Sequence, residues 1–131
     1  MTEEETRRVV ETEAAPGAIG PYSQAIRNGE LLFCSGALPL DPASGELLTG
    51  DLAAETRRCL ENLTAVCEAA GTSLERALRL TVYTTELSEF ATINAAYGEF
   101  FAADPPARAA VGVAELPKGA RIEIDAIVAI G

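Results

Sequence analysis

Arg108 and Glu123 are the charged residues of this sequence best suited to act on a small acid. Arginine presents a planar fork that binds a carboxylate through two parallel hydrogen bonds. Glutamate can orient a water molecule and take its proton. Together they would hold a small carboxylic acid and direct water onto it. The alternative is a structural ion pair or two solvated charges.

The sequence contains no histidine. Ser-His-Asp triads, Cys-His dyads and His-Glu-x-x-His zinc sites are therefore excluded. Catalysis must use carboxylate, guanidinium, phenol, hydroxyl, thiol or backbone groups. Neither the GxGxxG nor the GxxxxGK[ST] nucleotide-binding pattern occurs, so we predict no nucleotide cofactor.

The three cysteines predict reduced, buried thiols. Cys34, Cys59 and Cys67 form no CxxC pair, their number is odd, and each lies among apolar residues. A free cysteine in such a context behaves as a small apolar side chain. This usage is typical of a cytosolic protein.

The charge balance argues against nucleic acid as a partner. The chain has 131 residues, with Lys+Arg 10 against Asp+Glu 20 and a formal net charge of −10, so its field repels phosphate backbones. The acidic start, MTEEE, is unlike a positively charged signal peptide, and no apolar stretch is long enough to cross a membrane. We expect a cytoplasmic protein with one domain over residues 1–131 and no membrane partner.

The first half of the chain predicts a strand, a hairpin and a helix. Residues 6–12 favour a strand, and residues 22–28 and 30–36 flank Asn28-Gly29, a strong hairpin signal. A helix then runs from an N-cap at Asp51 to a stop at Gly71. Its apolar residues recur at helical spacing, and we expect an outward face of Glu55, Arg58, Glu61 and Glu68.

The second half predicts a strand, a helix and two further strands. Leu78, Leu80 and Val82 alternate with polar residues, as in a half-buried strand. Residues 88–101 have helical spacing, and residues 108–114 and 120–130 have strand alternation around a turn at 116–119. This order predicts an α+β fold with one mixed sheet and two helices on one face. Oligomerisation is the simplest cover for the other face.

The last two strands place the charged pair on defined faces. Arg108 shares its face with very small residues, Ala110, Gly112 and Ala114, whereas Glu123 shares its face with Arg121 and Asp125. A face of small side chains either packs closely against another element or leaves room for a small molecule. We expect Glu123 on a strand neighbouring that of Arg108.

Seven segments, taken in order and spacing, resemble the RidA (YjgF) family of imine deaminases nearly from end to end of the chain. They are residues 19–25 (IGPYSQA), 35–36 (SG), 68–71 (EAAG), 90–97 (FATINAAY), 106–108 (PAR), 116–118 (LPK) and 122–127 (IEIDAI). The resemblance implies a chorismate-mutase-like α+β fold assembled as a homotrimer with clefts between subunits. It also implies hydrolysis of reactive 2-imino acids or their enamine tautomers to 2-oxo acids and ammonia, without metal or cofactor.

The resemblance further implies a role for individual residues. Arg108 matches the arginine that clamps the substrate carboxylate, and Glu123 the glutamate that positions the attacking water. Asn94 matches a helix asparagine near the site. Tyr22 and Ser35 match residues that line the cleft, with Tyr22 supplied by the adjacent subunit, and Gly36 matches a backbone N–H donor to the ligand.

Two departures from the family pattern open alternatives. Ala110 stands where the family usually has Cys, Thr or Ser, and the segment 102–107 is about three residues shorter than in relatives. Ala110 favours a second hypothesis, a non-catalytic trimer that binds small carboxylates or regulates a partner. A third, ribonuclease activity, is opposed by the net charge. The leading hypothesis is a 2-iminobutanoate/2-iminopropanoate deaminase.

Overall fold

The computed structural model describes residues 6–131, and the acidic start of the chain lies outside the described residues. The part of the chain from Arg7 onward contains six strands and two α-helices. In chain order they are β1 (Arg7–Val10), β2 (Ala25–Asn28), β3 (Leu31–Ala37), α1 (Leu52–Ala69), β4 (Ala77–Thr84), α2 (Phe90–Gly98), β5 (Ala107–Gly112) and β6 (Ile122–Ala129). Short 3₁₀ turns cover Leu74–Arg76, Leu87–Glu89 and Pro117–Gly119.

All six strands form one mixed sheet in the order β1-β2-β3-β6-β4-β5. Only the β4–β5 pairing is parallel; the others are antiparallel. Both helices lie on one face, where α1 contacts β3, β6 and α2. The α+β fold with two helices on one face of a mixed sheet is therefore confirmed. No helix within residues 6–131 is long and apolar enough to span a bilayer.

The core fills the space between the helices and the sheet. On β6 the residues alternate strictly, so that Ile122, Ile124, Ala126 and Val128 are buried while the residues between them are not. The three cysteines are free and buried, as predicted. Burial of these alternate positions determines which face of β6 Glu123 occupies.

The predicted ends of α1 are confirmed. Asp51 caps its first turn by accepting a hydrogen bond from the Ala53 N–H at 3.0 Å. At the other end Gly71 takes φ 83, and the N–H groups of Gly71 and Thr72 donate to Glu68 O and Cys67 O. Such a pattern satisfies the last carbonyls of a helix and needs a left-handed residue, which glycine supplies.

The predicted outward position of Glu55 is wrong. Glu55 is buried, and its carboxylate pairs with the guanidinium of Arg121 at the start of β6. The Arg121 Nε–Glu55 Oε1 distance is 3.2 Å. A buried carboxylate needs a charged partner, and Arg121 supplies it. The ion pair links α1 to β6. Helical periodicity alone assigned Glu55 to the solvent-exposed face of α1.

Two further predictions need correction. Leu78 is exposed rather than inward, because the register of β4 against β6 shifts between Ala77 and Arg79. The second helix begins as a 3₁₀ turn at Leu87 and is α-helical only over Phe90–Gly98. The β2–β3 hairpin at Asn28-Gly29 is confirmed, with Asn28 paired to Leu31 and Gly29 at φ 61.

The sheet face away from the helices carries an apolar row across four strands. Val9, Ile26, Phe33 and Ile127 are consecutive cross-strand partners from β1 to β6. Val9 and Phe33 remain 53% and 43% exposed. An apolar row of this kind on an uncovered face is typical of a surface that packs against another molecule.

Candidate active site

Glu123 borders a hollow at the end of β3. The hollow has a volume of about 270 Å³ and is lined by Ile19, Tyr22, Ser35, Gly36, Leu38, Pro117 and Glu123. Four of the residues predicted from the sequence, Tyr22, Ser35, Gly36 and Glu123, are thus brought together here. Aliphatic side chains and one proline supply the rest of the wall.

Gly36 packs directly against the Glu123 side chain. A Cβ atom built on Gly36 would lie 2.8 Å from Glu123 Cδ, closer than real Cβ contacts allow. The close approach arises because β3 carries a bulge, with Ser35 and Gly36 together opposite one residue of β6 between the Cys34 and Ala37 pairs. Glycine at position 36 therefore allows Glu123 to occupy this position, and any larger residue would displace its side chain.

Ser35 and Gln24 hold the loop that carries Tyr22. The Ser35 hydroxyl donates to Ser23 O at 2.6 Å, and the Ser35 N–H donates to Gln24 O at 3.0 Å. The Gln24 amide donates to Pro16 O at 2.8 Å and accepts from the Thr12 N–H at 2.7 Å. These bonds use the oxygen and the nitrogen of the Gln24 side-chain amide and the hydroxyl hydrogen of Ser35, so the loop is fixed against β3.

Tyr22 is a half-exposed member of the same wall. Its hydroxyl accepts a hydrogen bond from the Ile19 N–H at 3.1 Å, which leaves the hydroxyl hydrogen free to donate. The side chain is available to a ligand because 45% of the residue is exposed.

The surroundings of Glu123 favour its protonated form. Burial raises the pKa of Glu123, and the nearby negative charge of Asp125 raises it further. Asp125 is itself an acceptor for the Tyr83 hydroxyl at 3.1 Å. A carboxylate with a raised pKa is a stronger base at neutral pH, which suits proton transfer from water.

Arg108 lies in a different place, against one side of α2. Its Nη1 donates to Asn94 Oδ1 at 2.7 Å. Its Cζ lies 5.1 Å from the centre of the Phe90 ring and 4.8 Å from that of Tyr97. Two aromatic faces and one amide oxygen thus hold the guanidinium, an arrangement that stabilises a cation.

The rest of the Arg108 fork remains available. Arginine has five N–H donors, and the hydrogen bond to Asn94 uses one. Both Arg108 and Asn94 are exposed, so a carboxylate from solvent can reach the guanidinium. Asn94, which the family resemblance places near the site, is thus the residue that accepts this hydrogen bond. Ala110, two residues further along β5, is exposed and adds only a methyl group.

The expectation that Glu123 lies on a strand neighbouring that of Arg108 is wrong. β4 lies between β5 and β6, and Arg108 pairs with Leu80 while Glu123 pairs with Tyr83. Leu80 is fully buried under the helices, whereas Glu123 alternates with the buried residues of β6. Arg108 therefore belongs to the helix-covered face and Glu123 to the open face.

The structure thus contains two separate groups of functional side chains. The Arg108 group (Phe90, Asn94, Tyr97 and Arg108) can bind a carboxylate. The Glu123 group (Tyr22, Ser35, Gly36 and Glu123) can orient water beside a small hollow. Within one chain they do not converge on a single ligand.

The contact of Phe90 and Tyr97 with Arg108 was not predicted from the sequence. The sequence spacing could have indicated it. Phe90, Asn94 and Tyr97 are spaced by four and three residues, which places their side chains on one face of the helix. Ile19, Leu38 and Pro117 were also missed, because residues that only line a hollow leave no pattern in the sequence.

Comparisons with known proteins converge on one family. The family model described as Endoribonuclease L-PSP matches residues 12–130. The human 2-iminobutanoate/2-iminopropanoate deaminase is 44% identical over 121 residues, which covers 92% of this chain and 88% of that protein. The RutC family protein y4sK of Sinorhizobium fredii is 49% identical, covering 92% and 96%.

Solved structures agree with the sequence comparisons. RidA from an Antarctic Psychrobacter superposes with a TM-score of 0.91 at 42% identity, covering 94% of this chain and 99% of that one. E. coli TdcF with bound serine superposes with a TM-score of 0.90 at 42% identity, covering 95% and 99%. At these identities, both fold and family are shared.

Proposed function

Because the chain belongs to the Endoribonuclease L-PSP family, which includes the RidA (YjgF) proteins, we propose that it is a hydrolytic deaminase of reactive 2-imino acids. Its substrates would be 2-iminobutanoate, 2-iminopropanoate and their enamine tautomers, and its products 2-oxo acids and ammonia. Such imines form when pyridoxal-phosphate dehydratases eliminate water from serine or threonine. The protein would therefore act in the cytoplasm, where it removes reactive metabolites.

The observation that carries the proposal is the half-buried carboxylate of Glu123 in a hollow of about 270 Å³, with its pKa raised by burial. A hydrolytic deaminase needs a base beside a site for one water and one small acid. The hollow provides this combination. Its size suits a substrate with a short alkyl side chain.

The proposed hydrolysis needs no cofactor, because the carbon of an imine is already electrophilic. Glu123 takes a proton from water as the water oxygen bonds to the imine carbon. The C=N π electron pair moves to nitrogen, and Glu123 passes the proton to that nitrogen, which restores the carboxylate. The C–N bond of the resulting carbinolamine then breaks. The hydroxyl proton passes to the leaving nitrogen, so that a C=O group forms and ammonia departs. Arg108 would hold the carboxylate throughout.

We propose further that one site takes Arg108 from one copy and Glu123 from another, in a homotrimer with three such clefts. The separation of the Arg108 and Glu123 groups on opposite faces supports this. So does the apolar row of the open face, which includes Phe33 at 43% exposure. Tyr22 would then join the cleft together with Glu123, from the copy adjacent to Arg108.

The direct test generates the imine in the assay. An amino-acid oxidase forms the 2-imino acid in the presence of semicarbazide, which traps it as an adduct, and added protein is expected to suppress adduct formation. The Arg108→Ala variant should not suppress it, because the substrate loses its strong charge partner. Absence of suppression by wild-type protein at high concentration would remove the proposal.

Mixing two inactive variants tests the shared cleft. The Arg108→Ala and Glu123→Gln variants are mixed in equal amounts, unfolded and refolded together. If Arg108 and Glu123 come from different copies, about one quarter of the interfaces combine an intact Arg108 with an intact Glu123. Activity should therefore return to about a quarter of the wild-type value. A mixture that stays as inactive as its parents contradicts the shared site but leaves the deaminase assay unaffected.

Ala110 favours one alternative, a trimer that binds small carboxylates without hydrolysing imines. It leaves the face beside Arg108 without a hydroxyl or thiol that could help place water. Binding of 2-oxobutanoate by calorimetry, together with no suppression of the semicarbazide adduct, would support this alternative over the enzyme.

A further inference from the structure

Asn62 is a polar residue buried in the apolar stripe of α1. Only 1% of it is exposed, and its neighbours on the stripe include Leu63 and Val66. Its Oδ1 is buried and accepts no hydrogen bond from any group within residues 6–131. An unpaired buried carbonyl of this kind is unfavourable by about 1–3 kcal/mol, so native proteins normally give it a donor.

The orientation of the Asn62 amide is determined by its other end. Nδ2 donates to Leu38 O at 3.1 Å and to Leu40 O at 3.0 Å. A rotated amide would place its oxygen against two carbonyl oxygens, which repel it. The acceptor must therefore be Oδ1, and its missing donor must come from another source.

Asn62 lines a small cavity of about 40 Å³, which is partly open because the exposed residues Gly17 and Tyr22 form part of its wall. The cavity shares Tyr22, Ser35, Gly36 and Leu38 with the hollow around Glu123. Its remaining wall is largely apolar and includes Ala15, Leu63 and Val66. Because the α1 side chains lie on the helix-covered face and Glu123 lies on the open face, Ser35 and Gly36 stand between the two spaces.

We propose that this cavity is a water site in which Asn62 Oδ1 accepts a hydrogen bond from one ordered water molecule. The volume exceeds the roughly 10–15 Å³ that one water needs and is too small for a metabolite. The second hydrogen of the water can go to Ser35 Oγ, whose own hydrogen is donated to Ser23 O. The water would thereby connect α1 to the Ser35–Gly36 bulge.

The consequence for the reaction rests on the proposed function. The bulge places Gly36 against Glu123. A water that is hydrogen-bonded to Ser35 on the α1 side would stabilise the bulge, and the bulge in turn holds the Glu123 carboxylate in position. Asn62 would be a positioning residue that acts through the water, Ser35 and Gly36. It would not contact the substrate.

A crystal structure of the wild-type protein at high resolution tests the water site itself. We expect electron density for a water within hydrogen-bond distance of Asn62 Oδ1. A well-ordered cavity without such density overturns the proposal. This outcome is independent of catalysis, so it differs from a failure of the deaminase assay.

Val66→Ile tests the link to the hollow. The added methylene enters the cavity and should displace the water, while Asn62 keeps both bonds to the 38–40 segment. We expect kcat/KM for the imine to fall about tenfold. Val128→Ile is the matched control, because Val128 is equally buried in β6 but does not line the cavity. Equal effects of the two substitutions would overturn the positioning role.

Discussion

Arg108 and Glu123 lie on opposite faces of one sheet, with β4 between their strands. Arg108 is level with buried Leu80, and Glu123 is level with Tyr83. One copy of the chain can therefore present the Arg108 guanidinium, which can bind a carboxylate, on one face and the Glu123 base on the other.

Gly36→Ala should inactivate the protein without unfolding it. The new Cβ would collide with the Glu123 side chain, and the flexible carboxylate can move away more easily than the backbone can. We expect kcat in the imine assay to fall by about 100-fold or more with a small change in melting temperature.

Gly98→Ala is the control for that substitution. A Cβ at position 98 meets nothing within 4 Å, and the residue ends α2. Alanine there should leave activity unchanged and stabilise the helix by about 0.5–1 kcal/mol. Full activity in Gly36→Ala would contradict the assigned contact between position 36 and Glu123.

Arg108→Lys should weaken substrate binding more than turnover. Lysine keeps the charge but lacks the planar fork, so it cannot make two parallel bonds to a carboxylate. We expect KM for the imine and Kd for 2-oxobutanoate to rise by about 10–100-fold. Arg8→Lys, at an exposed position on β1, serves as the matched control. An unchanged Kd for 2-oxobutanoate in Arg108→Lys would rule out the clamp.

Glu123→Gln should abolish turnover and increase stability at neutral pH. Loss of the base should lower kcat by about 100-fold or more. Since burial raises the pKa of Glu123 above its ordinary value of 4.5, the ionised form opposes folding, and glutamine removes that penalty.

The size of the stability difference depends on pH. The free energy of unfolding of Glu123→Gln should exceed that of wild type at pH 7. The gap should narrow as the pH falls below the folded-state pKa and close below 4.5, where Glu123 is protonated in both folded and unfolded chains. Denaturant titrations at several pH values measure it, and a variant less stable than wild type at pH 7 would argue against the buried carboxylate.

Asp125→Asn should extend activity to lower pH. The charge of Asp125 raises the pKa of Glu123, and asparagine removes it while keeping an oxygen that can accept from the Tyr83 hydroxyl. If Glu123 acts as a base, kcat/KM falls as the pH drops through its pKa, and this acidic limb should move to lower pH in the variant. Glu75→Gln, remote on a 3₁₀ turn, should leave the limb where it is. A limb that stays in place or moves upward in Asp125→Asn would assign it to another group.

Phe90→Leu and Tyr97→Phe should separate the aromatic faces from the hydroxyl. Loss of the Phe90 face removes a cation–π contact of about 0.5–2 kcal/mol, so binding of 2-oxobutanoate should weaken by about 2–30-fold. Tyr97→Phe keeps the ring, and the hydroxyl it removes has no hydrogen-bond partner within residues 6–131. Affinity should stay the same and stability should not fall. Calorimetry and thermal unfolding measure both, and equal binding losses in the two variants would refute the assigned role of the rings.

Local features of the fold could be predicted because their causes are local. The cap at Asp51, the stop at Gly71 and the turn at Gly29 depend on residues within a few positions of one another. The alternation of β6 assigns Glu123 to the face opposite Ile122 and Ile124. The resemblance to the RidA family likewise rests on short segments in a fixed order.

Strand order and buried charge were decided only by the tertiary structure. Sequence alternation says which residues share a face of one strand, but it does not say that β4 lies between β5 and β6, and so it could not separate Arg108 from Glu123. Glu55 shows the same limit, since a carboxylate on a helix becomes a core residue only when Arg121, 66 positions away, reaches it. Both depend on contacts between distant parts of the chain, which form when the helices pack on the sheet.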